Sequence, residues 1–443
     1  MQNTIKDKVS FYNIDIEYQN GVILYNSLTD SILAVSFKDY SIIETLMEYL
    51  PIFQKEYPSL YASFKKAGFI IPENFDELAY IKFENKRRIF MDRNYHLTIN
   101  PTLDCNVKCW YCSVVYAGAQ HYKKSMEDEI IQGLNLHIKQ LLRNKEAKSL
   151  LLDWFGGEPL MYFDEVIKKI SDSALQTAIK EKIPFHQQIT TNGTLLNQER
   201  IKYMKDANFT FFQISMDGNE HRQNLIKRYT NRKGTYQDVI HNINMICEII
   251  PQAKICLRIN YDAQTLKNVI DIADDLSENS RNNITIDFQR IWQIPCTDEM
   301  RGLLKSNITK FQEKGFKTMF WGYKPLNFKV CYADSINHYV INYDGKIFKC
   351  TARDYSDKFM IGELQPTGNI KWNNTVLCKM FDKLSFENKR CEKCKLLPLC
   401  MGPCIQKKYE AAINNITSPC THKKIELEVN AFIQEKAKRL HLI

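Results

Sequence analysis

Between residues 96 and 294, short apolar runs alternate with longer segments whose apolar residues recur every three or four positions. The longer segments, such as Met126–Leu142 and Phe163–Ile179, have the period of amphipathic helices. Because six strand-like runs alternate with helical segments, the pattern predicts an α/β domain with parallel strands. Ligands of such domains gather at the carboxyl ends of the strands, so functional residues are expected just after each run. The runs are 96–103, 149–155, 185–191, 210–216, 254–260 and 284–292.

The first 90 residues have a different pattern. An alternating run from Phe11, the turn pair Asn20-Gly21 and a second apolar run predict a β-hairpin. Two amphipathic helices, a short strand and a charged connecting helix are expected to follow. These elements fall at 40–50, 53–66, 68–72 and 74–88. The order indicates a small winged-helix-like unit and leaves open whether it binds nucleic acid or only packs against the rest of the chain.

From about Thr297 onward the alternation fades, and Gly and Pro occur among many cysteines. A last helix is predicted at about 423–440. The region has too few regular apolar faces for an ordinary core, so we expect metal to organise it. The predicted domains are 1–90, 91–296 and 297–443.

Composition narrows the class of protein. The 443 residues carry 60 basic and 51 acidic side chains, a net charge of +9, with no basic block that would indicate nucleic acid. No apolar run approaches the roughly 18 residues that a membrane helix needs, and the first residues lack the apolar core of a signal peptide. We therefore expect a cytoplasmic protein with no membrane or nucleic-acid partner. Fourteen cysteines in such a chain favour metal or redox chemistry over disulfides.

Three cysteines with the spacing C-x3-C-x2-C directly follow the first strand-like run: Cys105, Cys109 and Cys112. Three thiolates on one loop can bind three irons of a [4Fe–4S] cluster and leave the fourth iron open to a small molecule. A structural zinc ion, which is the alternative, normally takes four protein ligands, and no neighbouring His or Cys completes the set. The polar residues between the cysteines argue against thiols that are merely buried.

This motif, with the aromatic Tyr111 before its last cysteine, resembles that of the radical S-adenosylmethionine (radical SAM) superfamily. The resemblance implies that Cys105, Cys109 and Cys112 hold a [4Fe–4S] cluster whose open iron binds S-adenosylmethionine (AdoMet), and that Tyr111 lies near the adenine. It also implies cleavage of AdoMet to a 5′-deoxyadenosyl radical that abstracts hydrogen from the substrate. The implied fold is a partial (β/α)6 barrel. A flavodoxin- or ferredoxin-type protein is the expected electron donor.

Motifs after the next three strands fit the same resemblance. Gly156-Gly157-Glu158-Pro159 is similar to the GGEP motif, which holds the amino group of AdoMet, and its glycines would let backbone approach a ligand. Thr191-Asn192-Gly193-Thr194 and Ser215-Met216-Asp217-Gly218 resemble stretches that bind the ribose hydroxyls and the carboxylate. Taken alone, each string is also a common turn.

Basic residues near these motifs are candidates for the AdoMet carboxylate. Lys227 or Arg228 would pair with it as the family's Arg does, but the local spacing departs from the family and leaves the choice open. Arg258, on the fifth strand beside Asn260, suits a ligand contact and a structural role equally well.

Seven further cysteines are regularly spaced near the carboxyl end. Cys331-x13-Gly345-x4-Cys350 is followed by C-x2-C-x5-C-x3-C and, after fifteen residues, by a last cysteine. Two zinc sites would be the plain interpretation of such a set. The pattern resembles the SPASM extension, which implies two auxiliary [4Fe–4S] clusters. By that resemblance the outer cluster takes Cys391, Cys394, Cys400 and Cys420, and the inner cluster takes Cys331, Cys350 and Cys404.

The inner set is one ligand short. Cys296 is the candidate for a fourth ligand, but its spacing fits no extra-cysteine pattern of the family, so we favour an iron that stays open. The remaining cysteines, Cys247, Cys256 and Cys378, are expected to be buried small apolar residues.

SPASM enzymes mostly modify peptides or proteins, and the first 90 residues resemble the peptide-recognition unit of ribosomal-peptide maturases. We therefore expect the leader of a precursor peptide to add a strand to residues 10–80. The expected product is an intramolecular thioether or, second, a carbon–carbon cross-link. A sulfatase-type maturase that forms formylglycine from Cys or Ser is the alternative, although it needs no leader-binding unit. A non-catalytic zinc-binding adaptor is the remote alternative and leaves the GGEP motif unexplained.

Overall fold

The structure is a computed structural model that describes residues 6–112, 114, 124–144, 146–229, 231–319, 323, 325–329, 331–353, 355–382, 388–417, 420 and 429–443. The chain divides into two compact units. The cysteine-rich unit comprises Met1–Asp92, Phe320–Ser335 and Met380–Ile443, and the sheet unit comprises Arg93–Met319 and Ile336–Lys379. The predicted boundary at 296 does not coincide with a boundary between these units, and the functional division into 1–90, 91–296 and 297–443 stays a prediction.

The cysteine-rich unit begins with a three-stranded antiparallel sheet of order β2-β3-β4, a second pair β1-β5, and four helices. The strands are β1 (Asp7–Val9), β2 (Asn13–Tyr18), β3 (Gly21–Asn26), β4 (Ser31–Ser36) and β5 (Ile70–Pro72), and the helices are α1 (Phe37–Glu48), α2 (Leu50–Glu56), α3 (Pro58–Ala67) and α4 (Glu77–Phe90).

This segment has two more strands, β1 and β4, and one more helix than the sequence pattern predicted. All but the last residue of β4 are half-buried, so its apolar alternation is weak. The two predicted helices are three because Pro51 and Pro58 each lie in the first turn of a new helix. Proline is tolerated there, since the first amides of a helix have no partner within it, whereas it breaks a continuous helix.

The sheet unit contains the predicted run of parallel strands, which lie side by side in chain order with helices between them. The α/β fold class with a large parallel sheet is therefore confirmed. The strands are β6 (Asn94–Ile99), β7 (Ser149–Trp154), β8 (Phe185–Thr191), β9 (Phe209–Met216), β10 (Lys254–Tyr261) and β11 (Ile284–Arg290). The helices are α5 (Asp128–Arg143), α6 (Lys169–Glu181), α7 (Gln198–Asp206), α8 (Glu220–Ile226), α9 (Tyr236–Ile249), α10 (Ala263–Asn268), α11 (Ile272–Asp275) and α12 (Asp298–Glu313).

Short strands beyond residue 297 extend this sheet at both ends, where the sequence predicted loss of regular structure. β12 pairs with β11 in parallel, β13 pairs with β6 in parallel, and β14, β15 and β16 continue from β13 as an antiparallel meander. Their bounds are β12 (Lys317–Thr318), β13 (His338–Ile341), β14 (Lys346–Phe348), β15 (Gly362–Leu364) and β16 (Ile370–Trp372). Strands of two to four residues are too short to produce a readable period.

The remaining helices are α13 (Asn374–Asp382), α14 (Lys389–Glu392), α15 (Leu397–Cys400), α16 (Ile405–Ile413) and α17 (Val429–Arg439). Single turns of 3₁₀ helix lie at Pro159–Tyr162, Val269–Asp271, Tyr332–Asp334 and Asp357–Phe359, a longer 3₁₀ segment lies at Glu278–Asn283, and a π-helical segment, Phe163–Lys168, leads into α6. The last predicted helix, 423–440, is described only from Val429 onward. Among the described residues, no helix is long and apolar enough to cross a membrane.

The first and last segments of the cysteine-rich unit share apolar cores. One buried cluster joins Tyr12, Leu28 and Ile81 to Cys391 and Leu397. Another packs β2 and β3 against α15 and α17. Because burial of apolar side chains supplies most of the stability of a domain, residues 1–92 depend on the carboxyl-terminal segments of this unit for part of their core.

Candidate functional site

The three cysteines of the C-x3-C-x2-C motif lie on the loop that follows β6, at the carboxyl end of the parallel strands. The amide of Cys105 donates a hydrogen bond to the Asp104 carboxylate at 2.9 Å. The amide of Cys112 donates to the carbonyl oxygen of Cys109 at 3.2 Å. Polar contacts within the loop thus hold three partly buried thiols on one short segment.

The two glycines of the GGEP motif allow the loop after β7 to touch the cysteine loop through its backbone. The Gly157 amide donates to the carbonyl oxygen of Thr102 at 3.0 Å, and the Glu158 amide donates to that of Asp104 at 2.8 Å. A Cβ atom at Gly157 would lie 1.9 Å from the Asp104 oxygen, and Gly156 has a φ of +119° that disfavours any side chain. The two glycines therefore allow close contact with the cysteine loop, and their predicted role in AdoMet binding stays a prediction.

Glu158 is fully buried and connects the loops that follow β7 and β8. Its carboxylate accepts hydrogen bonds from the Thr191 hydroxyl at 2.7 Å, from the Asn192 amide at 2.8 Å and from the Leu160 amide at 3.1 Å. Burial nevertheless raises the pKa of Glu158 to about 6, because desolvation outweighs these hydrogen bonds. Pro159 follows in the first turn of a short 3₁₀ helix.

Asn192 brings the loop after β8 to the first thiol. Its Nδ2 donates to Oδ1 of Asn106 at 2.8 Å and lies 3.7 Å from Sγ of Cys105. Asn106 donates in turn to the Thr194 hydroxyl at 2.9 Å. The side chain of Asn106, which lies between the first two cysteines in the chain, therefore fixes the two loops relative to each other.

Tyr111 connects the cysteine loop to the ends of β9 and β10. Its hydroxyl donates a short hydrogen bond to Asp217 and accepts one from Nδ2 of Asn260 at 3.1 Å. The Gln293 side chain donates to the Tyr111 carbonyl oxygen at 3.0 Å. Burial, with the Asp217 carboxylate next, raises the pKa of Tyr111. The phenol therefore stays protonated and positions its ring at the edge of the cysteine loop.

Of the two candidate cations, the structure brings Lys227 to this network. Its Nζ lies 2.8 Å from both the carbonyl oxygen and the hydroxyl of Ser215, and 3.3 Å from Oδ2 of Asp217. The side chains of Lys227 and Asp217 are 3% and 0% exposed, so both charges are out of water. Arg228 is exposed. Arg258 reaches the network one residue further out, with its Nε 3.4 Å from Oδ1 of Asn260.

The thiols fit a cluster better than a single metal ion. Within the described part of the chain, no three His, Cys, Asp or Glu residues converge on a point that suits one ion. A single zinc ion needs each sulfur about 2.3 Å away, whereas a [4Fe–4S] cluster accepts one thiolate per iron and keeps the sulfurs further apart. The charges of Cys109 and Cys112 both act on Cys105, so the three sulfurs are near one another. This donor set fits the implied cluster.

Sequence reasoning missed two polar contacts of the site. Gln293 follows the carboxyl end of β11, where functional residues were expected, but no motif singled it out. Asn106 lies inside the motif and was seen only as a polar spacer. An amide side chain leaves no spacing signal, so only the folded structure identifies its partners.

The carboxyl-terminal cysteines fall into two sets by location. Burial raises the pKa of Cys391 to about 11, with the neighbouring thiols of Cys400, Cys394 and Cys420 as the next causes, so these four lie close together in the cysteine-rich unit. Their proximity is what the outer set requires, although the ligand assignment stays a prediction. Of the inner set, Cys331 and Cys404 belong to the cysteine-rich unit and Cys350 to the sheet unit.

The other cysteines differ from the expectation of simple burial. Cys256 is buried, as expected, on β10. Cys247 is only partly buried, and Cys378 is exposed on α13, so the expectation was wrong for Cys378. Cys296 is partly exposed and lies 3.8 Å from the carbonyl oxygen of Thr297.

Comparisons with known proteins give three findings. Residues 99–276 match the Radical SAM superfamily. The chain is 22% identical over 348 residues to the cysteine-type anaerobic sulfatase-maturating enzyme of Clostridium novyi (strain NT). This match covers 71% of this chain and 89% of that protein. Among solved structures, anSMEcpe with bound AdoMet and the Cp18Cys peptide has a TM-score of 0.53 at 18% identity, covering 72% of this chain and 97% of that one.

A further solved structure, Streptococcus suis SuiB bound to the precursor peptide SuiA, covers 90% of this chain and 96% of that one, with 15% identity and a TM-score of 0.49. At 18% identity, the match to anSMEcpe shows a shared fold. That fold places the cysteine loop, the GGEP loop and the loops after β8 and β9 at one end of one sheet.

Proposed function

This chain carries a radical SAM domain over residues 99–276, and from that premise we propose that it modifies a ribosomally made precursor peptide. The product is an intramolecular thioether or, second, a carbon–carbon cross-link. When bound, AdoMet and the clusters supply a 5′-deoxyadenosyl radical that removes a hydrogen atom from the peptide, and an acceptor for the electron that the peptide then loses. Cys105, Cys109 and Cys112 would hold the AdoMet cluster, and the two auxiliary clusters would lie at the carboxyl-terminal cysteines.

The residues of this chain prepare the AdoMet site in two ways. Glu158 and Asn192 hold the loops after β7 and β8 against the cysteine loop, so the backbone that would face AdoMet is already ordered. Lys227 carries a buried positive charge beside Ser215, which suits a ligand carboxylate. Tyr111 presents its ring from the cysteine loop itself and suits the adenine.

Among the described residues of the cysteine-rich unit, the β4 edge of the three-stranded sheet has no strand paired to it, which supports the peptide substrate. The two-residue turn between β2 and β3 makes Tyr18 and Gly21 a hydrogen-bonded pair, and the pairing alternates from there. Along β4, Ser31, Leu33 and Val35 then bond to β3, while the amides of Ile32 and Ala34 point away from the sheet. An extended leader can add a strand at such an edge.

The opposite edge of this sheet is already covered. On β2, the outward carbonyl oxygen of Asn13 accepts a hydrogen bond from Nζ of Lys395 at 3.0 Å, and that of Glu17 accepts one from Gln434 at 3.3 Å. Side chains of the carboxyl-terminal segments thus occupy β2. The edge that remains for an added strand is β4, and this difference between the two edges is the observation that carries the proposal.

Replacing Ala34 by Pro tests the docking edge. Proline removes one outward amide and leaves the bonds between β3 and β4 in place, because the lost N–H faces away from β3. We expect the Ala34→Pro variant to bind the precursor at least about tenfold more weakly, since strand addition depends on main-chain hydrogen bonds. AdoMet cleavage without peptide should be unchanged. The probe is a synthetic peptide with the sequence of any short reading frame found beside the gene, and Ala34→Ser, which keeps the amide, is the matched control.

Equal affinity of Ala34→Pro and Ala34→Ser for the precursor would show that the leader does not use this edge. Mass spectrometry of the product tests the reaction itself. A cross-link removes two hydrogen atoms from the peptide and leaves every residue in place.

The second candidate is a sulfatase-type maturase, and the similarity to the Clostridium novyi enzyme over 89% of that protein favours it. Such an enzyme would convert a Cys or Ser of a sulfatase peptide into formylglycine. The aldehyde reacts with a hydrazide probe, whereas a cross-linked peptide does not. Labelling of a sulfatase peptide, with no reaction of the precursor, would favour this candidate over the cross-linking enzyme.

A further inference from the structure

A cavity of about 630 Å³ lies in the sheet unit at the end opposite the cysteine loop. Tyr95 is near the start of β6 and Glu146 precedes β7, whereas Cys105 and Gly157 follow the ends of these two strands. A strand of six residues spans roughly 20 Å, so the two sites are separated by about the length of the strands. The volume of the cavity is within the range of small-molecule sites, roughly 300–1,000 Å³. The residues that matter here are Tyr95, His137, Glu146, Tyr339, Lys349 and Trp372.

The two tyrosines of this cavity lie on the face of the sheet opposite His96. β13 pairs with β6 so that Tyr339 is opposite Leu97 and His338 is opposite His96. Because side chains alternate along a strand, Tyr95 and Tyr339 lie on the same face as Leu97. His96 lies on the other face, where its ring meets Asp153 at 3.0 Å. The cavity is therefore separated from the cysteine loop along the length of the strands, and its two tyrosines lie on the face opposite His96.

The hydrogen bonds of His137 determine what the cavity presents to a ligand. Its Nδ1 lies 2.9 Å from the carbonyl oxygen of Gly368, so Nδ1 must carry the proton and donate. Burial lowers the pKa of His137, so the ring is neutral and its Nε2 is an acceptor. The Tyr339 hydroxyl, 2.5 Å from Nε2, must then donate to it. The Tyr339 hydroxyl uses its only proton in the hydrogen bond to His137. Its oxygen can therefore only accept hydrogen bonds from a ligand.

The Glu146 carboxylate adds an acceptor at this end of the cavity, whose lining also includes the amide side chains of Gln140, Asn144, Asn337 and Asn369. The Glu146 carboxylate is exposed and close enough to Tyr95 to help raise the pKa of that phenol, after burial as the main cause. The side chains of Tyr95, His137, Glu146 and Tyr339 all line the cavity. The ring of Trp372, 40% exposed, meets that of Tyr339 edge to face with centroids 5.7 Å apart. A carboxylate beside aromatic rings is an environment that favours an organic cation.

Lys349 lines the cavity and Arg93 bonds to the backbone of its lining residue Glu146, and each of these two cations donates to a backbone oxygen. Lys349 is 1% exposed, and its Nζ donates to the carbonyl oxygen of His338. Arg93 donates through Nε to the carbonyl oxygen of Glu146 at 2.9 Å. A ligand carboxylate would have to compete with these bonds, whereas the exposed Glu146 carboxylate, which accepts a hydrogen bond from Tyr95, has further lone pairs for an ammonium group.

We propose that this cavity is a second ligand site that binds a primary ammonium group on an aliphatic chain, through Glu146, Tyr339 and Trp372. The chemistry is that of a lysine side chain or of a free alkyl amine. The site does not depend on the peptide substrate proposed above, because none of its residues belongs to the AdoMet site or to the β4 edge.

Calorimetric titration of the full chain with three probes tests the site. The probes are the N-acetyl methylamides of lysine, norleucine and glutamate, which share a backbone and differ in the charge of the side chain. We expect the lysine probe to bind at least about tenfold more tightly than the norleucine probe, because only the former offers an ammonium group to the carboxylate and the rings. The glutamate probe should not bind.

Variants assign the binding to this cavity. Glu146→Gln keeps the size of the side chain and should weaken binding of the lysine probe about fivefold, and Trp372→Leu should weaken it by a similar factor. Glu363→Gln, an exposed carboxylate on β15 outside the cavity lining, is the matched control and should bind as the native chain does. Unchanged AdoMet cleavage without peptide in all three variants confirms that they are folded.

Several results would overturn the proposal. Equal binding of the lysine and norleucine probes would mean an apolar cavity without selectivity for charge. Tighter binding of the glutamate probe would mean that Lys349 and Arg93 dominate and the site takes an anion. Full affinity in both Glu146→Gln and Trp372→Leu would place the binding elsewhere, and no binding of any probe would show that the cavity is not a site for this chemistry.

Discussion

The contact between the GGEP loop and the cysteine loop makes Gly157→Ala the sharpest test of the AdoMet site. A Cβ atom on Gly157 would lie 1.9 Å from the Asp104 carbonyl oxygen and 2.6 Å from that of Leu103. Both neighbours are backbone atoms, so no side chain can rotate away. Ordinary contact begins at 3.4 Å, so the cysteine loop would have to retreat by about 1.5 Å from its 1.9 Å separation.

The loss in free energy of unfolding follows from the backbone hydrogen bonds that this retreat would break. The Gly157 amide donates to the carbonyl oxygen of Thr102 at 3.0 Å, and the Glu158 amide donates to that of Asp104 at 2.8 Å. A buried backbone group left without a partner costs about 1–3 kcal/mol, so losing both bonds costs about 2–6 kcal/mol. A domain is stable by about 5–15 kcal/mol, so the sheet should persist while this end of it opens. Gly302→Ala is the matched control, because nothing lies within 4 Å of its Cβ in α12, and it should gain about 0.5–1 kcal/mol.

Urea unfolding and iron analysis of the anaerobically purified chain measure the effect. We expect Gly157→Ala to lower the free energy of unfolding by a few kcal/mol, to lose about four irons per chain, and to lose AdoMet cleavage. Gly302→Ala should keep its iron and its activity. If Gly157→Ala were as stable as Gly302→Ala to within about 0.5 kcal/mol and kept its iron, the loop contact would not support the cluster site.

Three further predictions concern the cysteines and the buried ion pair. The native chain should hold about twelve irons after anaerobic reconstitution. Replacing Cys105, Cys109 and Cys112 by Ala should leave about eight irons and abolish AdoMet cleavage. Stoichiometric zinc in the native chain would contradict this prediction. Lys227→Met should cost about 3–5 kcal/mol in urea unfolding because it leaves the Asp217 carboxylate buried and uncompensated, and adding Asp217→Asn should restore much of the loss. Cys296→Ala should leave the auxiliary clusters unchanged in electron paramagnetic resonance, whereas a new open iron site would show that Cys296 is the fourth ligand.

The parallel sheet was predictable because its strands are long enough to have a period. Runs such as Ser149–Trp154 and Phe185–Thr191 lie within one or two residues of their predicted bounds. The strands of two to four residues after Lys317 were not predicted, because they have no period and join the sheet only through partners distant in the chain. Local sequence carries no information on such pairing.

The candidate site was predictable at the level of motifs and not at the level of contacts. Spacing identified the cysteine loop and the GGEP loop, and the strand order brought their loops to one end. It could not choose between Lys227 and Arg228, because the choice depends on which side chain the end of α8 turns inward. It also could not foresee that backbone carbonyl oxygens of the cysteine loop exclude a side chain at the two glycines, because that contact joins two loops distant in the chain.

The shared core of the cysteine-rich unit determines how leader recognition must be tested. Tyr12 packs in one cluster with Cys391, and the Ser27 hydroxyl donates to the carbonyl oxygen of Lys395 at 2.6 Å, beside Cys394. Deleting the first 84 residues would therefore expose the surroundings of the outer thiols as well as remove the β4 edge. Loss of peptide modification in such a truncation would follow from either cause. A single outward amide, that of Ala34, separates the two, because its removal leaves every contact of Tyr12 and Ser27 in place.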